Sequence, residues 1–236
     1  DGDEITALAF FKDKLLQFKK RKVFVVNTSG DYEFLEDTFL EVGVDQQCQV
    51  TTLPFGVAWA NEQGCHLYDG ERLTNLIDGK IAPTSDAKVY DNNYWSIDSD
   101  EIPIIGYLRD EKTLLILRDV GNISYAVPEG FQFSFVTQSW TFIQRRTPDS
   151  GATANSGSKS NMVIDKDGKL LWNVKYHGTT NNKLVYWSDG ARNNSDTPGN
   201  DNSSIYFRTK DFDFGQPGVR KKIYKVYVTY KSTNPA

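Results

Sequence analysis

The run ALAFFKDKLLQF, residues 7–18, decides how this chain is read. With Phe11, Leu15 and Phe18 on one side at helical spacing it makes an amphipathic helix; with KDK as a tight polar turn it makes two short apolar strands of a hairpin. The hairpin is the stronger reading, because the β-rich VFVV at 23–26 follows at once and ends in the turn sequence NTSG. The same phrase then recurs in other words: VAWA, NEQG, CHLY at 57–68; IIGYL, RDEKT, LLIL at 104–117; MVID, KDGK, LLWNV at 162–174. Leu15, Cys65, Leu114 and Leu170 open the second strands at steps of roughly 50 residues, the range of β-propeller blades. The expectation is an all-β, β-propeller-like fold, and a partial one, since four units are few for a propeller and further blades would lie upstream of Asp1.

Composition agrees with strands. Aromatic residues make up 13% of the chain, and Val, Ile and Thr are abundant, which suits pleated, half-buried surfaces. No apolar run approaches membrane-spanning length, and the opening DGDEI lacks the charged-then-apolar order of a signal peptide. The chain has no Met at position 1 and its single Met is Met162, so a fragment of a longer protein is expected. A net charge of -4 argues against a diffuse grip on nucleic acid, which needs clustered cations. Two local clusters exist: Lys19, Lys20, Arg21 and Lys22, and Arg220, Lys221 and Lys222. Each reads first as a solvated strand or turn, and second as a patch facing DNA or another acidic partner. Cys48 and Cys65 are too far apart for a metal knuckle and too few for a disulfide framework, so reduced thiols are expected.

Along the chain, the second unit spans about residues 49–77 and carries the hairpin signal YDG at 68–70. Residues 78–101 turn polar and read as an exposed connection with the aromatic anchors Tyr90, Tyr94 and Trp95. In QFSFVTQSWTF, 132–142, large rings flank a reversal, as the space between blades requires. Stretches 147–160 and 192–204 are loops with too little apolar content to fold alone. IYKVYVTY, 223–230, alternates with period two, the pattern of a strand with one wet face. The expected division is therefore 1–205 as blades and 206–236 as a junction with the first strand of a further β domain.

Candidates for chemistry are sparse. His66 and His177 lie in different units, and no Ser or Cys sits in a recognisable nucleophile turn. Cys65 and His66, being adjacent in a strand, face opposite sides of a sheet. Asp165, Asp167 and Gly168 resemble the start of a calcium loop, but no bidentate acid follows at the required distance, so a hairpin turn is favoured. That stretch and WSDG at 187–190 echo the Asp-box turns of sialidase-like propellers incompletely. None of the 31 acids is singled out by its neighbours as half of a glycosidase pair. Neither catalysis nor a cofactor or metal is expected. Tyr90, Tyr94, Trp95 and Trp187 are the candidates for stacking on sugar rings, although such residues more often seal one element against another.

Three stretches, FGVAWANEQGCHLYDG (55–70), FVTQSWTF (135–142) and RTKDFDFGQPGVRKKIYKVYVTYK (208–231), resemble tailed-phage virion proteins of the marine podophage type that carry a β-propeller, related in architecture to tail-nozzle and DNA-stabilising plug proteins. The resemblance covers most of the chain outside the two polar loops. It implies a blade-built segment of a ring or tube in the virion, assembled in the host cytoplasm from identical copies, contacting neighbouring tail proteins and passing DNA through its middle. It implies no catalytic residue. DFGQPG, 212–217, would be the junction to a β-sandwich of which only the first strand is present. A carbohydrate-binding propeller for host-surface recognition is the alternative from another class.

Overall fold

The computed structural model describes residues 3–82, 94–97, 101–118, 130–143, 159–175 and 182–187, together with 220, 222 and 227. The chain divides into two compact units, Asp1–Asn200 and Asp201–Ala236. Within the second, Arg220, Lys222 and Tyr227 are exposed, and the expected sandwich strand at 223–230 falls outside the described residues but for Tyr227.

Among the described residues the first unit is all-β, with four antiparallel sheets whose strands follow one another in chain order. The first sheet contains β1 (Ala7–Phe11), β2 (Lys14–Phe18), β3 (Lys22–Asn27) and β4 (Phe34–Leu40). A 3-10 turn, Gln47–Gln49, leads into the second, with β5 (Val50–Leu53), β6 (Gly56–Asn61), β7 (Gly64–Tyr68) and β8 (Leu73–Asn75). The third has β9 (Ile104–Leu108), β10 (Thr113–Leu117), β11 (Gly130–Ser134) and β12 (Ser139–Ile143), and the fourth β13 (Lys159–Ile164), β14 (Leu170–Lys175) and β15 (Asn182–Tyr186). None of these sheets closes on itself. Among the described residues no helix is long and apolar enough to cross a membrane.

The opening run is a hairpin. β1 pairs with β2 from Ala7 opposite Phe18 to Phe11 opposite Lys14, with Lys12 at φ 52 in the turn. The helical spacing of Phe11, Leu15 and Phe18 loses to pairing with β3, which gives β2 a ladder on its second edge. All four hairpins recognised in the sequence are present, but not in one phase. Residues 57–68 are the second and third strands of their sheet, whereas the other three hairpins are first and second strands. The strand that shifts the phase, β5, is the four-residue VTTL with Thr52 exposed, and carries too little apolar signal to announce itself.

The sheets meet through their leading strands: β1 lies against β5 and β6, β5 and β6 against β9, and β9 against β13. Each meeting makes a separate apolar core. Leu16, Phe18, Val23 and Val25 of the first sheet pack on Val57, Trp59 and Tyr68 of the second. The opposite face of the second sheet, with Ala58, Ala60 and Cys65, packs on Ile105, Leu114, Ile116, Phe131 and Phe133 of the third. The third sheet's other face, with Ile104, Leu115 and Leu117, receives Leu170 and Trp172 of the fourth. Covered on both sides, β6 and β10 are buried along their whole length and lose the in-out alternation of a half-exposed strand. At roughly 1.5–3 kcal/mol for each large apolar side chain removed from water, these cores dominate the favourable side of folding. Gly106 on β9 allows the last approach, since a Cβ there would lie 2.5 Å from Met162 Sδ and 2.9 Å from Met162 Cβ.

Candidate functional site

The polar groups buried between the sheets form the most constructed part of the molecule. They begin at the link between the first two sheets, residues 41–44. Its N–H groups at Glu41 and Val44 donate to the carbonyls of Arg21 (2.6 Å) and Lys19 (3.0 Å), in the β2–β3 turn. From the other side, Trp59 Nε1 donates to Val42 O (2.6 Å) and Asn61 Nδ2 to Gly43 O (2.9 Å). Gly43 is required by space: an added Cβ would meet Lys20 C at 2.5 Å and Arg21 N at 2.6 Å, both backbone. Gly43→Ala is expected to lower stability by about 2 kcal/mol through overpacking, read as a lower urea midpoint at unchanged slope.

Asn61 is the hub of this region. Its Oδ1 accepts the N–H groups of Gln63 (2.9 Å) and Gly64 (3.1 Å), closing the β6–β7 turn, and lies 3.2 Å from His66 Nε2. An oxygen already accepting two N–H bonds calls for a donor in the third, so the proton of neutral His66 is on Nε2. The Asn61 backbone carbonyl accepts Trp95 Nε1 at 2.9 Å. Nearby, Gln49 Oε1 accepts from the N–H groups of Asp45 and Gln46 while Nε2 donates to Ala60 O at 3.0 Å. Asn61→Ala leaves the Gly43 carbonyl and the turn N–H groups without these partners, and is expected to cost about 2 kcal/mol in chemical denaturation.

A second anchor joins Ser96 and Glu101 to the end of β10. Arg118, buried, donates from Nε to Glu101 Oε2 (2.9 Å), from Nη2 to Glu101 Oε1 and from Nη1 to Ser96 Oγ (2.9 Å). The fork thereby engages both carboxylate oxygens.

The aromatic candidates part company. Trp95 is 2% exposed, stacked on Phe131 at 4.5 Å and edge-on to Trp140, so it is a core residue and not a platform for a sugar. The polar surroundings of Trp95 in sequence suggested exposure, but the backbone N–H of Trp95 docks on Ala82 O (2.8 Å) and turns the ring inward. Tyr94 is half-exposed and bridges Ala82. Trp187 is half-buried, edge-on to Trp172 at 6.0 Å, and its N–H donates to Leu170 O. Tyr90 lies outside the described residues.

Lys19, Lys20 and Arg21 form the β2–β3 turn and Lys22 opens β3, with Lys20 and Arg21 exposed and Lys19 Nζ 5.7 Å over the Phe24 ring. In the other basic cluster Arg220 and Lys222 are exposed, and Lys221 lies outside the described residues. His177 does too. Cys65 and His66 do face opposite sides, Cys65 in the core shared with the third sheet and His66 against Trp59. Burial raises the Cys65 thiol pKa far above its ordinary value and pushes His66 down to about 4. The 165–168 stretch is a hairpin turn. Asp165 Oδ1 accepts the N–H groups of Asp167 (2.9 Å) and Lys169 (2.8 Å), and Gly168 sits at φ 80. Those bonds, that of Lys169 first, hold the Asp165 carboxyl below its usual range. Among the described residues no three His, Cys, Asp or Glu side chains are grouped to hold a metal ion.

No family model and no curated protein matches the chain. Among solved structures it is similar to the extracellular domain of a putative hybrid two-component system of Bacteroides thetaiotaomicron, at 13% identity and a TM-score of 0.43, over 80% of this chain and 23% of that one. It is also similar to PorZ, a surface component of the type-IX secretion system of Porphyromonas gingivalis, at 14% identity and a TM-score of 0.41, over 76% of this chain and 24% of that one.

Proposed function

We propose that this chain is a structural segment of a bacteriophage virion, in the tail or head-to-tail assembly, acting by assembly of identical copies into a ring of propeller-like blades around a DNA path. The observation that carries the reading is the run of three successive sheet-on-sheet cores with polar anchors set between them, an arrangement that makes a stiff wall. The stretches at 55–70 and 135–142 that resemble virion proteins fall on β6–β7 and on the β11–β12 turn with β12, which are parts of that wall. A net charge of -4 suits passage of DNA, because a wall without a dominant cationic field lets phosphates slide where a basic one would hold them. Electron microscopy of the full-length protein tests this. Rings of uniform copy number are expected, and particles that stay monomeric at high concentration overturn it.

A further inference from the structure

We infer that His66 is an acid-operated release between the first and second sheets, so that mild acid parts this one meeting while the others stay closed. His66 is the middle residue of β7 and 3% exposed. Like Trp59 opposite it and Tyr68 two places on, it lies on the face turned toward the first sheet. It touches both side chains by which the second sheet holds the 41–44 link. Its ring centroid is 5.6 Å from that of Trp59, the donor to Val42 O, and its Nε2 is 3.2 Å from Asn61 Oδ1, whose amide nitrogen donates to Gly43 O.

Asn61 Oδ1 is the polar partner of the ring among the described residues, and with the proton on Nε2 the other nitrogen, Nδ1, is an unshared acceptor. A second proton has to go there. It would put a charge and an unmatched N–H inside the junction, a costly combination. The charged groups on the surrounding elements are Lys22 on β3, Glu36 and Asp37 on β4, Glu41 and Asp45 about the link, and Asp69, Glu71 and Arg72 at the β7–β8 turn. Glu36 is engaged by Lys14 and Asn27 within the first sheet, and Asp69 by N–H groups of its own turn. Burial is what keeps the ring neutral, with its pKa pushed down to about 4.

The parting is confined by the way the molecule is divided. Each meeting of sheets has its own apolar core, and in a stack of such units one interface can open by itself at less cost than unfolding the whole. Among the described residues neither of the other two cores contains a histidine. Any state that wets His66 takes up its proton near the ordinary 6.5. Above that pH the release is shut; from there down to about pH 4 the opened form gains roughly tenfold per pH unit over the closed one. The event is a separation of two sheets, and it holds whether or not copies of the chain assemble.

Hydrogen exchange at the indole nitrogens, followed by NMR, tests it. Trp59 Nε1 donates to Val42 O at the first meeting, and Trp140 Nε1 to Leu76 O at the second. Between pH 7 and pH 5 the exchange of Trp59 relative to Trp140 is expected to rise about twentyfold. The ratio should stay constant in His66→Gln, which does not titrate, and His66→Phe is the comparison if the glutamine variant loses its fold. A ratio unchanged in the wild-type protein overturns the release, both where the two reporters accelerate together through global unfolding and where neither accelerates. A rise that persists in the non-titrating variant belongs to another group and overturns it equally.

Discussion

Replacing Arg118 with Met is expected to lower the unfolding free energy by about 1–3 kcal/mol, the cost of leaving the half-buried Glu101 carboxylate and the buried Ser96 without their donors. The side chain sits at the end of β10, 4% exposed, and its three donor nitrogens go to Glu101 and Ser96. With the guanidinium removed, both carboxylate oxygens of Glu101 lose their charged donors and Ser96 loses its own. Arg118→Lys should recover only part of the loss, because an ammonium cannot reproduce a planar fork against two carboxylate oxygens. The double variant Arg118→Met with Glu101→Gln should lie closer to the wild-type protein than Arg118→Met alone, since it removes the stranded charge. Urea denaturation of the three variants at pH 7 gives the comparison; equal midpoints for the single and double variants would show that the penalty is not one of unpaired charge.

Acidification is expected to withdraw stability through His66. Burial against Trp59 holds the folded-state pKa at about 4, below the ordinary 6.5. The unfolded chain therefore takes up this proton more readily than the folded one. The neutral ring contributes its full stabilisation above pH 6.5, and the contribution falls as the pH drops from there until the folded form also protonates near pH 4. A gap of that size corresponds to roughly 3 kcal/mol. His66→Gln retains a side-chain donor for Asn61 Oδ1 and does not titrate. The stability difference between wild type and His66→Gln should thus shift by roughly 3 kcal/mol against the wild type between pH 7 and pH 4. The many carboxylates titrate in both proteins and cancel in the difference. A difference independent of pH would mean that the ring is hydrated in the folded protein.

These buried groups are also where reading the sequence stops short. The four hairpins were legible because each combines period-two alternation with a turn signal, and the KDGK turn at 166–169 needed only its neighbouring Asp165 to be recognised as one. The sequence pattern places the second repeat one strand out of phase, since Val50–Leu53 is short and Thr-rich while β6, covered on both faces, carries a continuous apolar signal. The polar neighbours of Trp95 in sequence point to an exposed anchor, whereas the contact that buries it, to Phe131, is made with a residue far along the chain. Asn61 looked like part of an ordinary NEQG turn. Its bond to Gly43 O spans the junction of two sheets, and no local pattern encodes that. Gly43 likewise gives no sign in the sequence of the backbone it crosses. The pairing of Arg118 with Glu101 joins residues seventeen positions apart whose spacing fits no helical or hairpin rule.

The short link at 41–44 has a mechanical consequence. It is held by the β2–β3 turn on one side and by Trp59 and Asn61 on the other. A pull that would swing the first sheet away from the second passes through the two bonds to the β2–β3 turn and then through the two to Trp59 and Asn61, the members of each pair sharing the load. The covalent link between the two sheets is accordingly braced against both of them instead of running slack.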